Sequence, residues 1–444
     1  MVFGRGKTST MEAPKKKVKE LSATAAAHGF DDFDHSNFYS GSSDDAFCML
    51  DPMDEWWGTR AYGAGYYQFG LPMQTAPLPI VDIRETLDNE VLKNLVNFSS
   101  YNYLGLSYRP EVIEAAVEAT RKYGLGASGS PVLSGTMELH EELAEKLAKF
   151  KKKETALLFS TGYSVNLGVI SGLMRPGDTV ITDQYSHASV VDGIILSKAR
   201  VSFFRHNRID DLEKKLKRAT GKKLVVVEGV YSMDGDLPVL PEIVDLCKRY
   251  DARIMIDEAH SAFIFGENGR GVAEHFGLED EIDIHMGTFS KSLGGIGGFV
   301  AGSFKLTNYL RAFARSRVFS CALPPGVTAG ISKALDIAID EPELRKRLWD
   351  NVHFAQTKLR EAGVDIGDSE SQVIPVMIRD DKHIFSYAEQ LIHEGVYLNP
   401  VRFPAVGKHR SRFRISISAG HTKEQLERGC NILINVMQRH GLCR

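Results

Sequence analysis

Asp257-Glu258-Ala259-His260 and Gly287-Thr288-Phe289-Ser290-Lys291-Ser292-Leu293-Gly294-Gly295 each follow directly on a short apolar run, Arg253–Ile256 and Ile282–Met286. Runs of the same kind occupy Ala156–Ser160, Thr179–Thr182, Val201–Phe204, Leu224–Glu228 and Gly298–Ala301, with helical patterns such as Ile209–Ala219 and Pro241–Tyr250 between several of them. β-branched runs that alternate with amphipathic helices read as a mostly parallel, seven-stranded sheet with helices on both faces, an α/β fold. Pro324-Pro325 closes this region, and a helical stretch over Glu341–Glu361 leads to the short strands Val373–Ile378 and Phe413–Ser418, as in a smaller α+β domain. The expected division is an N-terminal extension over 1–96 (its first 30 residues a tail without pattern), a large domain over 97–325 and a small C-terminal domain over 326–444.

Bulk properties narrow the function. A chain of 444 residues, 43% hydrophobic, can build two packed domains. Its 54 basic and 57 acidic residues nearly cancel, so no broad field holds nucleic acid or an anionic membrane, and the expected ligands are small. The five cysteines lie apart, without the spacing of a zinc site, which fits a reducing, cytoplasmic setting and no metal. No apolar run reaches the roughly 18 residues of a membrane span. Lys15, Lys16, Lys17 and Lys19 form a basic cluster that reads as a solvated tail ahead of a nuclear signal. Trp56, Trp57, Tyr62, Tyr66 and Tyr67 make the stretch from Asp44 to Phe69 too aromatic for a linker, so it is expected to pack on the body or on a second subunit.

In an open parallel sheet, ligands bind beyond the carboxyl ends of the strands. After Ala156–Ser160 comes Thr161-Gly162-Tyr163-Ser164, a small-residue turn opening a helix and suited to a phosphate, although an ordinary helix cap has the same composition. After the next run comes Asp183-Gln184-Tyr185-Ser186-His187-Ala188-Ser189, and after Leu224–Glu228 comes Gly229-Val230-Tyr231-Ser232-Met233-Asp234-Gly235. Asp257-Glu258-Ala259-His260 also spells a helicase nucleotide motif. That reading needs G-x-x-x-x-G-K-[ST], and the one Gly-Lys-Thr, at Gly6-Lys7-Thr8, has Met1 where the first glycine belongs. A strand-end carboxylate instead suits a protonated pyridine nitrogen, with His260 able to reach a ring hydroxyl. Lys291 is placed for imine formation, and Thr288 and Ser290 for phosphate.

Taken together, Ser100-Tyr101-Asn102-Tyr103-Leu104-Gly105, Phe159-Ser160-Thr161-Gly162-Tyr163, Ser186-His187-Ala188-Ser189, Glu228-Gly229-Val230-Tyr231-Ser232-Met233, Asp257-Glu258-Ala259-His260-Ser261, Gly269-Arg270-Gly271 and Gly287–Ser292 resemble the α-oxoamine synthase family of fold-type-I pyridoxal-phosphate enzymes. The likeness runs from about Asn97 to Arg439. Its nearest branch is bacterial serine palmitoyltransferase, through Gly287–Ser292 and Arg402. The resemblance implies pyridoxal 5′-phosphate bound to Lys291 as a Schiff base, His187 stacked on the ring, Asp257 at its nitrogen and His260 at its hydroxyl. Gly162, Tyr163, Thr288 and Ser290 would hold the phosphate, joined by Ser320 of a neighbouring subunit. Ser232 and Asn102 would line the site, and Arg402, Arg412 and Arg414 are candidates for the substrate carboxylate.

The implied reaction joins a small amino acid, serine favoured, to an acyl thioester with loss of carbon dioxide, in a homodimer with shared active sites. Glycine or alanine in a secondary-metabolite pathway, and an acyl carrier protein in place of coenzyme A, are the alternatives. Transamination or aldol cleavage would keep the fold and change the reaction. A silent partner subunit would lack the lysine that this chain has. Three departures stand out: Gly129-Ser130-Pro131 replaces a turn that often ends in Arg; Arg412-Phe413-Arg414 resembles aminooxononanoate synthase more than serine palmitoyltransferase, which leaves the choice between Arg412 and Arg414 open; and the N-terminal extension, a candidate contact for a carrier protein, has no counterpart in short bacterial members.

Overall fold

The computed structural model describes residues 35–38, 43–56, 70–85 and 89–443. The basic cluster at 15–19, Gly6-Lys7-Thr8, Trp57, Tyr62, Tyr66 and Tyr67 lie outside the described residues. Strands β1 (Ile80–Arg84) and β2 (Val91–Asn97) come first, followed by β3 (Thr155–Phe159), β4 (Thr179–Asp183), β5 (Arg200–Phe204), β6 (Lys223–Glu228), β7 (Arg253–Asp257), β8 (Ile284–Thr288) and β9 (Gly298–Gly302). Four short strands, β10 (Val373–Met377), β11 (Val396–Tyr397), β12 (Asn399–Val401) and β13 (Arg412–Ser416), complete the set.

The large sheet has the order β3-β9-β8-β7-β6-β4-β5. Its pairs are parallel except where β9 runs antiparallel to β3 and β8. All seven expected strands are present, with ends moved by one or two residues. Their composition follows from burial on both faces: in β6, Val225 and Val227 enter one core while Leu224 and Val226 enter the other. Helices Gly162–Leu173, Ala188–Ser197 and Phe304–Phe313 cover one face, and Leu240–Arg249 and Glu138–Phe150 contribute to the core on the opposite side.

The C-terminal part holds an antiparallel sheet, β10-β13-β12, and helices Glu343–Glu361 and Lys423–Arg439. Strands β1 and β2 form an antiparallel hairpin, and β11 adds to β2 in parallel. Residues just before 97 are thus sheet partners of the C-terminal region. Farther upstream, Trp56 is buried with its ring 5.2 Å from that of Phe38, and Met49 and Met53 pack against the main core. Among the described residues, no helix is long and apolar enough to cross a membrane, and no cluster could hold a metal ion.

Candidate active site

The carboxyl ends of β3, β4, β6, β7 and β8 deliver their following residues to one edge. At the β3 edge Thr161 caps helix Gly162–Leu173, its Oγ1 accepting from the Ser164 N–H (3.0 Å). The N–H groups of Gly162 and Tyr163, in the first turn, have no helical acceptor and face outward with the positive end of the helix dipole. A Cβ on Gly162 would sit 2.8 Å from Thr288 Oγ1 and 2.9 Å from Thr288 Cβ, so only glycine lets the two segments close. Thr288 Oγ1 lies 2.8 Å from Ser290 Oγ and donates to the Gly297 carbonyl (2.9 Å). Two free N–H groups and two hydroxyls therefore share one small cradle, a fit for a phosphate.

Asp257 ends β7 with its side chain buried. Oδ1 accepts the Ala259 N–H (2.9 Å), and Oδ2 accepts from Asn166 Nδ2 (2.7 Å). Beside it in register stands Glu228, whose Oε1 accepts the His187 N–H. Burial, reinforced by Asp257, pushes the Glu228 carboxyl well above the usual carboxylate range. His187 caps helix Ala188–Ser197, and burial lowers its imidazole below the ordinary value, against the pull of Asp257. His260, one turn past Asp257, is lowered by burial, with Lys291 adding to the effect. Its Nδ1 lies 2.8 Å from Tyr103 Oη, and burial raises that phenol to about 12.

Lys291 follows β8 in a tight turn. The Gly294 N–H closes on the Lys291 carbonyl (3.0 Å), and Gly294 takes a φ of +68° with Ser107 backbone 2.5 Å from where a Cβ would be. Lys291 Nζ makes no hydrogen bond with any described residue. Desolvation lowers its ammonium from 10.5 to about 8, although Asp257 pulls the other way. An amine half-buried, unpaired and close to deprotonation is suited to attack an aldehyde.

The three candidate arginines separate. Arg414 is buried, its guanidinium 4.6 Å from the centre of the Tyr101 ring, with Nε donating to the Ser232 carbonyl (2.5 Å) and Nη1 buried without a hydrogen-bond partner. Arg412, two residues along the same face of β13, is consumed: it donates to Asp234 Oδ1 (2.8 Å), to the Met233 carbonyl (2.9 Å) and to the Arg410 carbonyl (3.0 Å). Arg402 donates from Nη1 to the Asp381 carbonyl (2.9 Å). Asn102 spends both ends of its amide on Ser107, at 2.8 and 3.3 Å, which braces the turn lying against Gly294. Ser320 lines a separate cavity with Pro131, His140 and Arg317. Sequence reasoning passed over Asn166, Ser189 as a bonding partner, and the acidity of Glu228. The signal available for Asn166 was one amide in the apolar helix V-N-L-G-V-I.

The fold is that of the fold-type-I pyridoxal-phosphate enzymes: a serine palmitoyltransferase solved with its pyridoxal-phosphate internal aldimine superposes with a TM-score of 0.85 at 36% identity, over 90% of this chain and 100% of that one. The aminotransferase class I and II family matches residues 93–433, and the chain belongs to that family. Serine palmitoyltransferase of Sphingobacterium spiritivorum is 43% identical over 362 residues, which span 80% of this chain and 91% of that protein. The 8-amino-7-oxononanoate synthase of Petrotoga mobilis is 42% identical over 339 residues, 76% of this chain and 86% of the other. Among solved structures, Sphingomonas wittichii serine palmitoyltransferase superposes with a TM-score of 0.85 at 34% identity, over 90% of this chain and 100% of that one.

Proposed function

We propose that this chain is an α-oxoamine synthase that uses pyridoxal 5′-phosphate to join serine to a long-chain acyl thioester, releasing carbon dioxide and the thiol and leaving an α-amino ketone. The observation that carries the reading is the unpaired Lys291, near deprotonation, within the field of Asp257 and Arg414. When bound, the cofactor supplies an aldehyde for amine condensation and a cationic ring that accepts the electron pair left at the amino acid Cα. Gly162, Tyr163, Thr288 and Ser290 hold its phosphate, Asp257 pairs with the ring nitrogen, His187 covers the ring face and His260 contacts the ring hydroxyl. Lys291 Nζ is the group that holds and returns the Cα proton. Arg414 Nη1 receives the substrate carboxylate, because its guanidinium is buried with a donor to spare.

Similarity to two serine palmitoyltransferases, in sequence and in structure, supports serine as the amino acid; the oxononanoate synthase relative keeps alanine and glycine in the test. Residues 97–325 act as the cofactor-binding unit and 326–444 as the smaller unit that brings Arg414. The working enzyme is a homodimer. Leu133 and Phe319 are 85% and 72% exposed on segments joined by the Ala322–Gly129 hydrogen bond (2.9 Å), and a second copy covering them would carry Ser320 toward its partner's phosphate cradle. The free, scattered cysteines suit a cytoplasmic enzyme.

The test is an absorbance spectrum of the purified protein with pyridoxal phosphate, titrated separately with glycine, alanine and serine, followed by carbon dioxide release on adding an acyl thioester. A visible band that is absent in Lys291→Ala and perturbed by serine, with carbon dioxide released only when thioester is present, is the expected result. A protein that stays colourless, or that releases no carbon dioxide, refutes the reading.

A further inference from the structure

Asn166 is the single polar side chain among the buried residues of helix Gly162–Leu173. Its Nδ2 donates to Asp257 Oδ2 (2.7 Å) and to Ser189 Oγ (2.9 Å). A carboxylate accepts only, which fixes the end of the amide that faces it, and the two acceptors use both Nδ2 protons. Asn166 Oδ1 is buried without a partner, so these two donor bonds alone orient the side chain. Ser189 Oγ is thereby an acceptor toward Asn166, and its own proton is left for His187 Nδ1, 2.7 Å away. The Ser189 backbone N–H, which can only donate, points at the same nitrogen (3.2 Å). With donors on both approaches Nδ1 must be bare, and the imidazole proton lies on Nε2.

We propose that Asn166, acting through Ser189, is a positioning residue that holds His187 as the neutral Nε2–H tautomer and ties it to the amide that orients Asp257. The inference rests on the cofactor-binding reading above for its functional meaning. The groups facing His187 are Asp257 and Asp192, which favour its cation, Lys291, which opposes it, and Glu228, which accepts its backbone N–H. Burial outweighs the carboxylates. A neutral imidazole under the ring leaves Asp257 as the counter-charge to the ring nitrogen, and one amide sets both contacts together.

Selective ¹⁵N-histidine labelling of the wild-type chain, with His187→Gln to assign the resonance, reads the tautomer directly. A bare Nδ1 and a protonated Nε2 are expected between about pH 6 and pH 8, with and without pyridoxal phosphate. Asn166→Ala should give mixed tautomers and a cofactor dissociation constant raised about tenfold. Ser189→Ala should disturb the tautomer with a smaller loss of affinity, because the bond from Asn166 to Asp257 survives; it decides the matter if Asn166→Ala does not fold. An Nδ1–H or cationic His187 in the wild type overturns the assignment. So does an Asn166→Ala chain with the wild-type tautomer and an affinity within about twofold. Failure of the cofactor reading shows separately, as a wild-type protein with no visible band, and leaves the tautomer measurement intact.

Discussion

Lys151→Met is expected to destabilise the fold by about 3–5 kcal/mol at neutral pH, the range for deleting one half of a buried ion pair. Lys151 Nζ bonds Glu258 Oε2 and the Arg270 carbonyl, with the lysine and glutamate side chains 1% and 0% exposed. Glu258 Oε1 also accepts the Ala273 N–H (3.2 Å), and His285 Nδ1 lies 3.7 Å from Oε2. Burial by itself would raise the Glu258 carboxyl; Lys151, with His285 behind it, reverses this and holds it at about 2 against an ordinary 4.5. At about 1.4 kcal/mol per pKa unit the gap corresponds to roughly 3 kcal/mol. Because the folded value lies below the unfolded one, this stabilisation is complete above about pH 4.5 and is lost as pH falls toward about 2. In Lys151→Met the buried carboxyl has lost its cation, its pKa moves above the unfolded value, and stability instead falls as pH rises. Urea denaturation of both proteins from about pH 4 to pH 8 should therefore show the smallest difference at the acid end. Adding Glu258→Gln removes the stranded charge and should recover most of the loss. A difference independent of pH, one below about 1 kcal/mol at neutral pH, or a double variant no better than the single would refute the reasoning.

Three further outcomes follow from the site. Uptake of pyridoxal phosphate by cofactor-free protein, monitored by absorbance, should accelerate with pH through a midpoint near 8, because burial lowers the Lys291 amine to about 8; a midpoint at the ordinary lysine value would contradict this. Arg414→Ala should weaken amino-acid binding, read by spectral titration, by roughly 10²-fold, the worth of a charge-assisted contact of about 3 kcal/mol. Gly162→Ala drives a Cβ to 2.8 Å from Thr288 Oγ1 and should raise the cofactor dissociation constant. Equilibrium titration measures the change, and an unchanged constant would remove Gly162 from the cradle.

Much of the large sheet is legible in the sequence because its strands are buried on both faces: Lys223–Glu228 and Thr179–Asp183 are near-continuous β-branched runs that no surface helix would carry. The positions just past those strands are legible for a related reason, since polar groups gathered at strand ends have few purely structural uses. What the sequence leaves hidden depends on contacts between distant segments. Arg412 and Arg414 share a face of one strand and both are buried; only the placement of Asp234, from the β6 edge, decides that the first is consumed and the second is not. Asn166 looks like a stray amide until Asp257 and Ser189 are set against it. The pairing of β2 with β11 is equally opaque, because a two-residue strand carries no period.

The charges around Lys291 show why the site collects so many ionisable side chains yet keeps few of them charged. Burial moves Glu228 upward and His187 and His260 downward, and for each the shift favours the uncharged form. Those groups contribute shape and hydrogen bonds without competing counter-ions. In the proposed reaction Arg414 would meet an incoming carboxylate, and Asp257 a cationic ring nitrogen, in surroundings that screen them poorly, where a single opposite charge counts for more than it does in water. Lys291 is set differently. Burial and Arg414 push its ammonium down while Asp257 holds it up, and the balance falls at about 8. An amine near that value is available near neutral pH both as a nucleophile and as a proton carrier. Removing Asp257 should unbalance it, lowering the Lys291 value further and making the free amine the dominant form at neutral pH, so that Asp257→Ala takes up pyridoxal phosphate with a midpoint below 8 but holds it weakly. A midpoint unchanged from wild type would mean that the carboxylate does not act on the lysine at all.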